Sequence, residues 1–228
     1  MGRKLLTFVG ILALLPTTCA ASAEIIDRIV ATVNGHIILL SDWEDSLGYE
    51  AFSSGRPLDR MTADDRKSAL DHLIDQELLR EQLKDSDVLH ASSEDVAERV
   101  AEIRKQFPEA ETELGWRKLL DRSRLSEETL KNRVAAQLDL MRLVDARLRP
   151  SVTVDSKSIE SYYREELLPQ LHRSGGQNVP LANVTAKIKE LLTQKKISQL
   201  LTAWLQDLRA GSEIRAEALA AGSRGRSQ

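Results

Sequence analysis

IIDRIVATVNGHIILLSDWE, residues 25–44, is the stretch on which the fold turns. Apolar and β-branched residues dominate from Ile25 to Val33. Asn34-Gly35 then supplies a two-residue turn in which both residues accept positive φ, and His36 to Leu40 returns as a second strand. The pattern predicts an antiparallel hairpin. Ser41, with Glu44 three residues on, reads as a capping box opening a short helix through about Tyr49, followed by a loop over residues 53–57. A lone hairpin is marginal in water, so a third strand is needed. The far end of the chain offers one. Residues 213–218 (EIRAEA) alternate polar and apolar, which places Ile214, Ala216 and Ala218 on one face. The expected arrangement pairs this segment with the hairpin and closes a single body.

Between these ends the apolar spacing is helical. Leu70, Leu73, Ile74 and Leu78 share a face of a helix over residues 62–84. Ser93 caps a second helix carrying Val96, Val100 and Ile103, which ends near Pro108, and a third spans residues 112–123 with Leu114, Leu119 and Leu120. Ser126 opens a fourth, with Glu127 and Glu128 complementing its dipole. Its stripe of Leu130, Val134, Leu138, Met141, Val144 and Leu148 stops at Pro150. Asp155 caps a helix to about Leu168, and residues 166–180, with Gly175-Gly176, read as a flexible connection. A long helix over residues 181–209 lines one side with Ile188, Leu191, Leu192, Ile197, Leu200, Leu201, Trp204, Leu205 and Leu208, and Gly211 stops it. Residues 220–228 read as a disordered tail. The fold class expected is mainly α, with a small N-terminal hairpin completed by a C-terminal strand.

The amino terminus has the anatomy of a secretory signal peptide. Arg3 and Lys4 precede an apolar run from Leu5 to Leu15, and Ala21-Ser22-Ala23 offers small residues at the positions a signal peptidase reads. The run is too short to span a bilayer. Pro16 and Thr18 make a poor lipoprotein site around Cys19, so the cut is placed after Ala23 and the only cysteine leaves with the leader. Removing residues 1–23 takes two of 32 Lys and Arg and none of 35 Asp and Glu, which leaves a net charge of −5 on 205 residues. That mild, evenly spread acidity argues against nucleic acid as a partner. Without cysteine, the exported chain must hold together without disulfides.

No constellation of catalytic or metal-binding residues emerges. His36, His72, His90 and His172 fall in a strand, a helix, a loop and a linker, without the paired spacing a zinc site uses. Serine-nucleophile and phosphate-loop motifs are absent. Gly175-Gly176 has no preceding strand and reads as linker, and Gly115-Trp116 sits in helical apolar spacing, so Trp116 reads as packing. The expected assignments are no catalytic residue, no metal and no cofactor.

The order of these segments resembles the SurA family of chaperones and parvulin-type prolyl isomerases. The likeness is carried by residues 25–44, by LDHLIDQELLREQLKD at 70–85 and by SSEDVAERVAEIRKQF at 92–107. It continues through residues 126–165 and the closing WLQDLRAGSEIRAEA at 204–218. The resemblance implies a chaperone core over residues 24–165, completed by residues 181–219. In place of the family's inserted parvulin domains stands only the segment 166–180, so isomerase activity is not carried over. What the likeness implies is an ATP-independent holdase of the periplasm for unfolded polypeptides, outer-membrane β-barrel proteins above all. Peptide contacts are expected at Tyr49, Phe52, Phe107 and Trp116, large apolar residues near helix ends and loops, although core packing explains each of them equally well. Two alternatives stay open: a prolyl isomerase with an unrecognised site, and a structural subunit of an envelope complex with one dedicated partner. A homodimer is a further open alternative.

Overall fold

The computed structural model describes residues 27–84 and 90–217. The leader, its cleavage site, Ala218 and the tail lie outside the described residues. Strand β1 (Ile29–Val33) and strand β2 (His36–Leu39) form the hairpin, with Ala31 opposite Ile38 and Val33 opposite His36. The turn has Asn34 at φ 49° and Gly35 at φ 85°, the primed geometry that suits the right-handed twist of the strands. Strand β3 (Ile214–Ala216) pairs antiparallel with the other edge of β1, giving the order β2-β1-β3. The third strand comes from the carboxyl end, as the alternation predicts. An irregularity between Ile29 and Ala31 breaks strict alternation, so Val30, Ala31 and Val33 are all buried while Ile29 faces solvent.

Helix α1 (Leu40–Ser54) is longer than the sequence suggests at both ends. Asp42, rather than Glu44, closes its first turn by accepting from the Leu39 N–H at 2.9 Å, while the Ser41 hydroxyl donates to Asp27. Helix α2 (Ala63–Lys84) packs Leu70, Ile74 and Leu78 against the sheet and α1, with Trp43 and Leu47 between them. The Trp43 Nε1–H donates to the Arg66 carbonyl at 2.9 Å, so this buried indole keeps its hydrogen bond. Ile214 and Leu208 pack onto the same cluster.

A second cluster lies on the other side of α1. Helices α3 (Ser93–Lys105), α4 (Glu113–Arg122) and α5 (Glu127–Leu148) surround Val100, Ile103, Leu120, Leu130 and Val134, and Phe52 enters from α1. Each helix begins on a side-chain cap. Ser92, one residue earlier than expected, exchanges hydrogen bonds with Asp95, and those bonds hold the Asp95 carboxyl down to about 2. Thr112 and Ser126 cap the next two helices.

Gly48 lets α1 approach the turn that leads into α5. A Cβ there would stand 2.5 Å from the Ser123 carbonyl oxygen. Glycine to alanine inside a helix normally gains about 0.5–1 kcal/mol of propensity. The clash reverses the sign, because displaced backbone in a packed core costs about 1–3 kcal/mol. Gly48→Ala is therefore expected to lower the unfolding midpoint in urea, and a raised midpoint would contradict the close approach.

The chain then runs through α6 (Ser156–Tyr162), a π turn (Tyr163–Leu167) and α7 (Leu168–Arg173). The π turn falls just ahead of Pro169, which has no N–H to continue the helical ladder. Helical backbone thus extends through Arg173, and the open connection narrows to residues 174–180. The Tyr163 hydroxyl anchors that loop by donating to the Val179 carbonyl at 2.7 Å. Helix α8 (Leu181–Ala210) is 30 residues, about 45 Å long. Only Ile188 and Ile197 along it are buried, nine residues apart and half a turn out of phase, whereas Leu191 and Leu200 are exposed. Its apolar residues therefore do not share one face.

Candidate functional site

α5 is 22 residues long and α3, which packs on it, only 13, so one half of α5 runs past the second cluster and meets α8 instead. There α2, α5 and α8 enclose an open groove of roughly 1110 Å³. Leu79 comes from α2, Leu140, Met141 and Val144 from α5, and Ile197 and Leu201 from α8. Leu79 and Ile197 are buried, while Met141 is 57% exposed. A groove of this size exceeds the usual range for a small-molecule pocket. Methionine, flexible and polarisable, adapts to varied apolar partners.

Polar contacts, more than shared core, hold the walls in place. Arg149 donates to Asp145 at 2.6 Å and to both Glu190 carboxylate oxygens at 3.1 Å, joining the end of α5 to α8. The Arg147 guanidinium lies 4.7 Å from the Trp204 ring centroid. At the far end of α8, Arg209 donates to Asp75 at 2.6 Å and to the Asp71 carbonyl at 2.9 Å. Exposed ion pairs contribute roughly 0.2–1 kcal/mol each, so these walls are less firmly fixed than the two clusters.

The four aromatic residues singled out in the sequence do come together, in and around the second cluster. Phe52 lies 5.1 Å from Phe107, 5.9 Å from Trp116 and 6.4 Å from Tyr49, centroid to centroid. Phe52 and Trp116 are each only 2% exposed, so they offer almost no surface to a ligand, although the edge of Phe52 reaches the wall of a smaller cleft. Phe107 is half-buried against the same cluster and borders that cleft, which is lined by many charged side chains, including Glu44, Arg56 and Arg122. Tyr49 alone of the four reaches the large groove. Its hydroxyl bonds Gln137 at 3.0 Å, Arg133 lies 5.9 Å from its ring, and burial pushes the phenol up. Met141, Val144 and Leu201 were legible in the sequence only as members of core stripes. The signal that sets them apart is surplus: α5 and α8 carry more apolar positions than one buried face can absorb.

The histidines stand apart from one another. His72 bonds Glu50, His90 bonds Asp139, His172 bonds Asn178, and His36 lies beside Glu77. None of the four lines the groove between α2, α5 and α8, whose walls are mostly apolar side chains of three helices. The chain belongs to the SurA-like N-terminal domain family, whose profile matches residues 4–144. The match takes in the hairpin and α1 to α4 and ends within α5; α6, α7, α8 and β3 lie beyond it. No curated protein matches the chain.

Proposed function

We propose that the chain is an ATP-independent holdase of the periplasm, which binds unfolded outer-membrane or secreted polypeptides in the groove between α2, α5 and α8. The carrying observation is that groove, in a chain of the SurA-like N-terminal domain family. The leader-like residues 1–23 support export, and a compartment without nucleotide requires passive binding and release. The match is to the N-terminal domain of SurA-like proteins, the part the resemblance links to chaperone binding and not to the isomerase, which supports binding rather than turnover. An extended client can lay alternate apolar side chains along such a groove, and shallow contacts keep the affinity low enough for release.

The purified chain is expected to delay light scattering by a refolding outer-membrane β-barrel protein, without ATP and with micromolar affinity, about −8 kcal/mol. Met141→Asp is expected to weaken that effect with little change in stability, because the side chain is 57% exposed. Unchanged scattering with no client cross-linked to the groove would overturn the holdase reading. Recovery of one stoichiometric envelope partner would favour a dedicated subunit instead.

A further inference from the structure

We propose that His36, Glu77 and Glu81 bind one divalent transition-metal ion of the zinc class where the hairpin meets α2. One ligand atom from each residue comes within 4.8 Å of the others, the only such grouping of three among the described residues. Glu77 and Glu81 are one helical turn apart on α2, so both carboxylates lie on the same side of the helix. His36, the first residue of β2, stands over them because the primed turn at Asn34-Gly35 sends the chain straight back.

A second observation points to a missing positive partner. Glu77 is 7% exposed, and its Oε1 has no hydrogen-bond partner, while Oε2 is satisfied by Arg80. A buried carboxylate oxygen left without a donor is costly, and native structures seldom keep one without reason. His36 Nδ1 stands 3.6 Å from that oxygen, beyond hydrogen-bond range but close to the separation of two ligands sharing one metal. Binding would draw the three donors in to the roughly 2.0–2.2 Å that zinc requires, by rotation of the exposed His36 and half-buried Glu81 side chains. One imidazole with two carboxylates favours zinc, cobalt or nickel over calcium and magnesium, which prefer oxygen-only shells. Lys84 Nζ, 3.4 Å from His36 Nε2, belongs to an exposed side chain that can swing away.

The ion would also bear on how the chain closes. Glu81 accepts from Asn34 at 2.8 Å, and Asn34 in turn bonds Ser212 and Glu213 beside β3. Metal binding would therefore favour the folded pairing of hairpin, α2 and carboxyl end, and the melting temperature should rise with zinc concentration.

The test is calorimetric titration of untagged, chelator-treated full-length chain with zinc chloride, backed by the visible spectrum of the cobalt-loaded chain. The expected result is one ion per chain. Its affinity should fall at least tenfold in both His36→Gln and Glu81→Gln, while His90→Gln binds as the parent does. Circular dichroism confirms that the variants fold, and Glu77→Gln is kept as a third arm because its buried position risks the fold. Absence of saturable binding, or wild-type affinity in either His36→Gln or Glu81→Gln, overturns the site.

Discussion

A variant ending at Arg209, which lacks residues 210–228, is expected to lose about 4–6 kcal/mol of unfolding free energy. Three contributions give that figure. The β1–β3 ladder and its extensions, Asn34 N–H to the Glu213 carbonyl at 2.9 Å and Glu217 N–H to the Val30 carbonyl at 3.0 Å, come to a handful of hydrogen bonds at about 1 kcal/mol each. Ile214 packs on the first cluster and adds about 1–2 kcal/mol of apolar burial. Asn34 also loses Glu213 and Ser212 as side-chain partners, which weakens the turn that sets the hairpin register. Native stabilities are typically about 5–15 kcal/mol, so the loss is a large share of the whole. Arg209 is retained, with its bonds to Asp75 and Asp71, so α8 keeps its anchor on α2 and the deficit reports on the strand. Urea denaturation followed by circular dichroism measures it. An unchanged midpoint would show that the carboxyl-terminal strand does not hold the sheet together.

The three strands of the small sheet were the most legible part of the sequence, and the reason is chemical. Asn-Gly between two apolar runs leaves the backbone few choices, and the alternation at residues 213–218 points to a strand, although of its apolar positions Ile214 packs inward and Ala216 is exposed. Caps were legible for a similar reason: Ser126 and Asp155 satisfy backbone N–H groups at their helix starts, as their side chains suggest, while the cap read at Ser93 lies one residue earlier, at Ser92. At α1 the spacing of Ser41 and Glu44 pointed to the wrong pair, because the helix starts earlier and the Leu39 N–H bonds Asp42 instead. The groove was harder to read because it depends on lengths as well as patterns. Met141 and Val144 continue the helical stripe begun by Leu130 and Val134, but α3 covers only part of α5, so one stripe leads to a core at one end and an open surface at the other. In α8 the nine apolar residues were read as one stripe. Half-turn phasing of Ile188 and Ile197, with Leu191 and Leu200 exposed, shows a helix apolar on several sides and covered on few.

Phe52→Ala separates a packing role from a contact role for the aromatic group, and it is expected to cost about 3–5 kcal/mol. Phe52 is 2% exposed and is the residue through which α1 enters the second cluster, with Phe107, Trp116 and Tyr49 around its ring. Removing the ring gives up its burial and three aromatic contacts, and it leaves a cavity between α1 and the α3–α5 group that helices held from several sides cannot collapse to fill. The preceding residue, Ala51, lies in the first cluster, so loosening α1 on one side weakens both. The contrast is with Met141→Ala, where a 57% exposed side chain should change stability by no more than about 0.5 kcal/mol. Denaturant midpoints measured at constant slope decide the matter. A large shift for Phe52→Ala, with client binding by the folded fraction intact, assigns Phe52 to the core. A small shift with lost client binding would mean that the second cluster opens in solution and that its aromatic residues are themselves the contact surface.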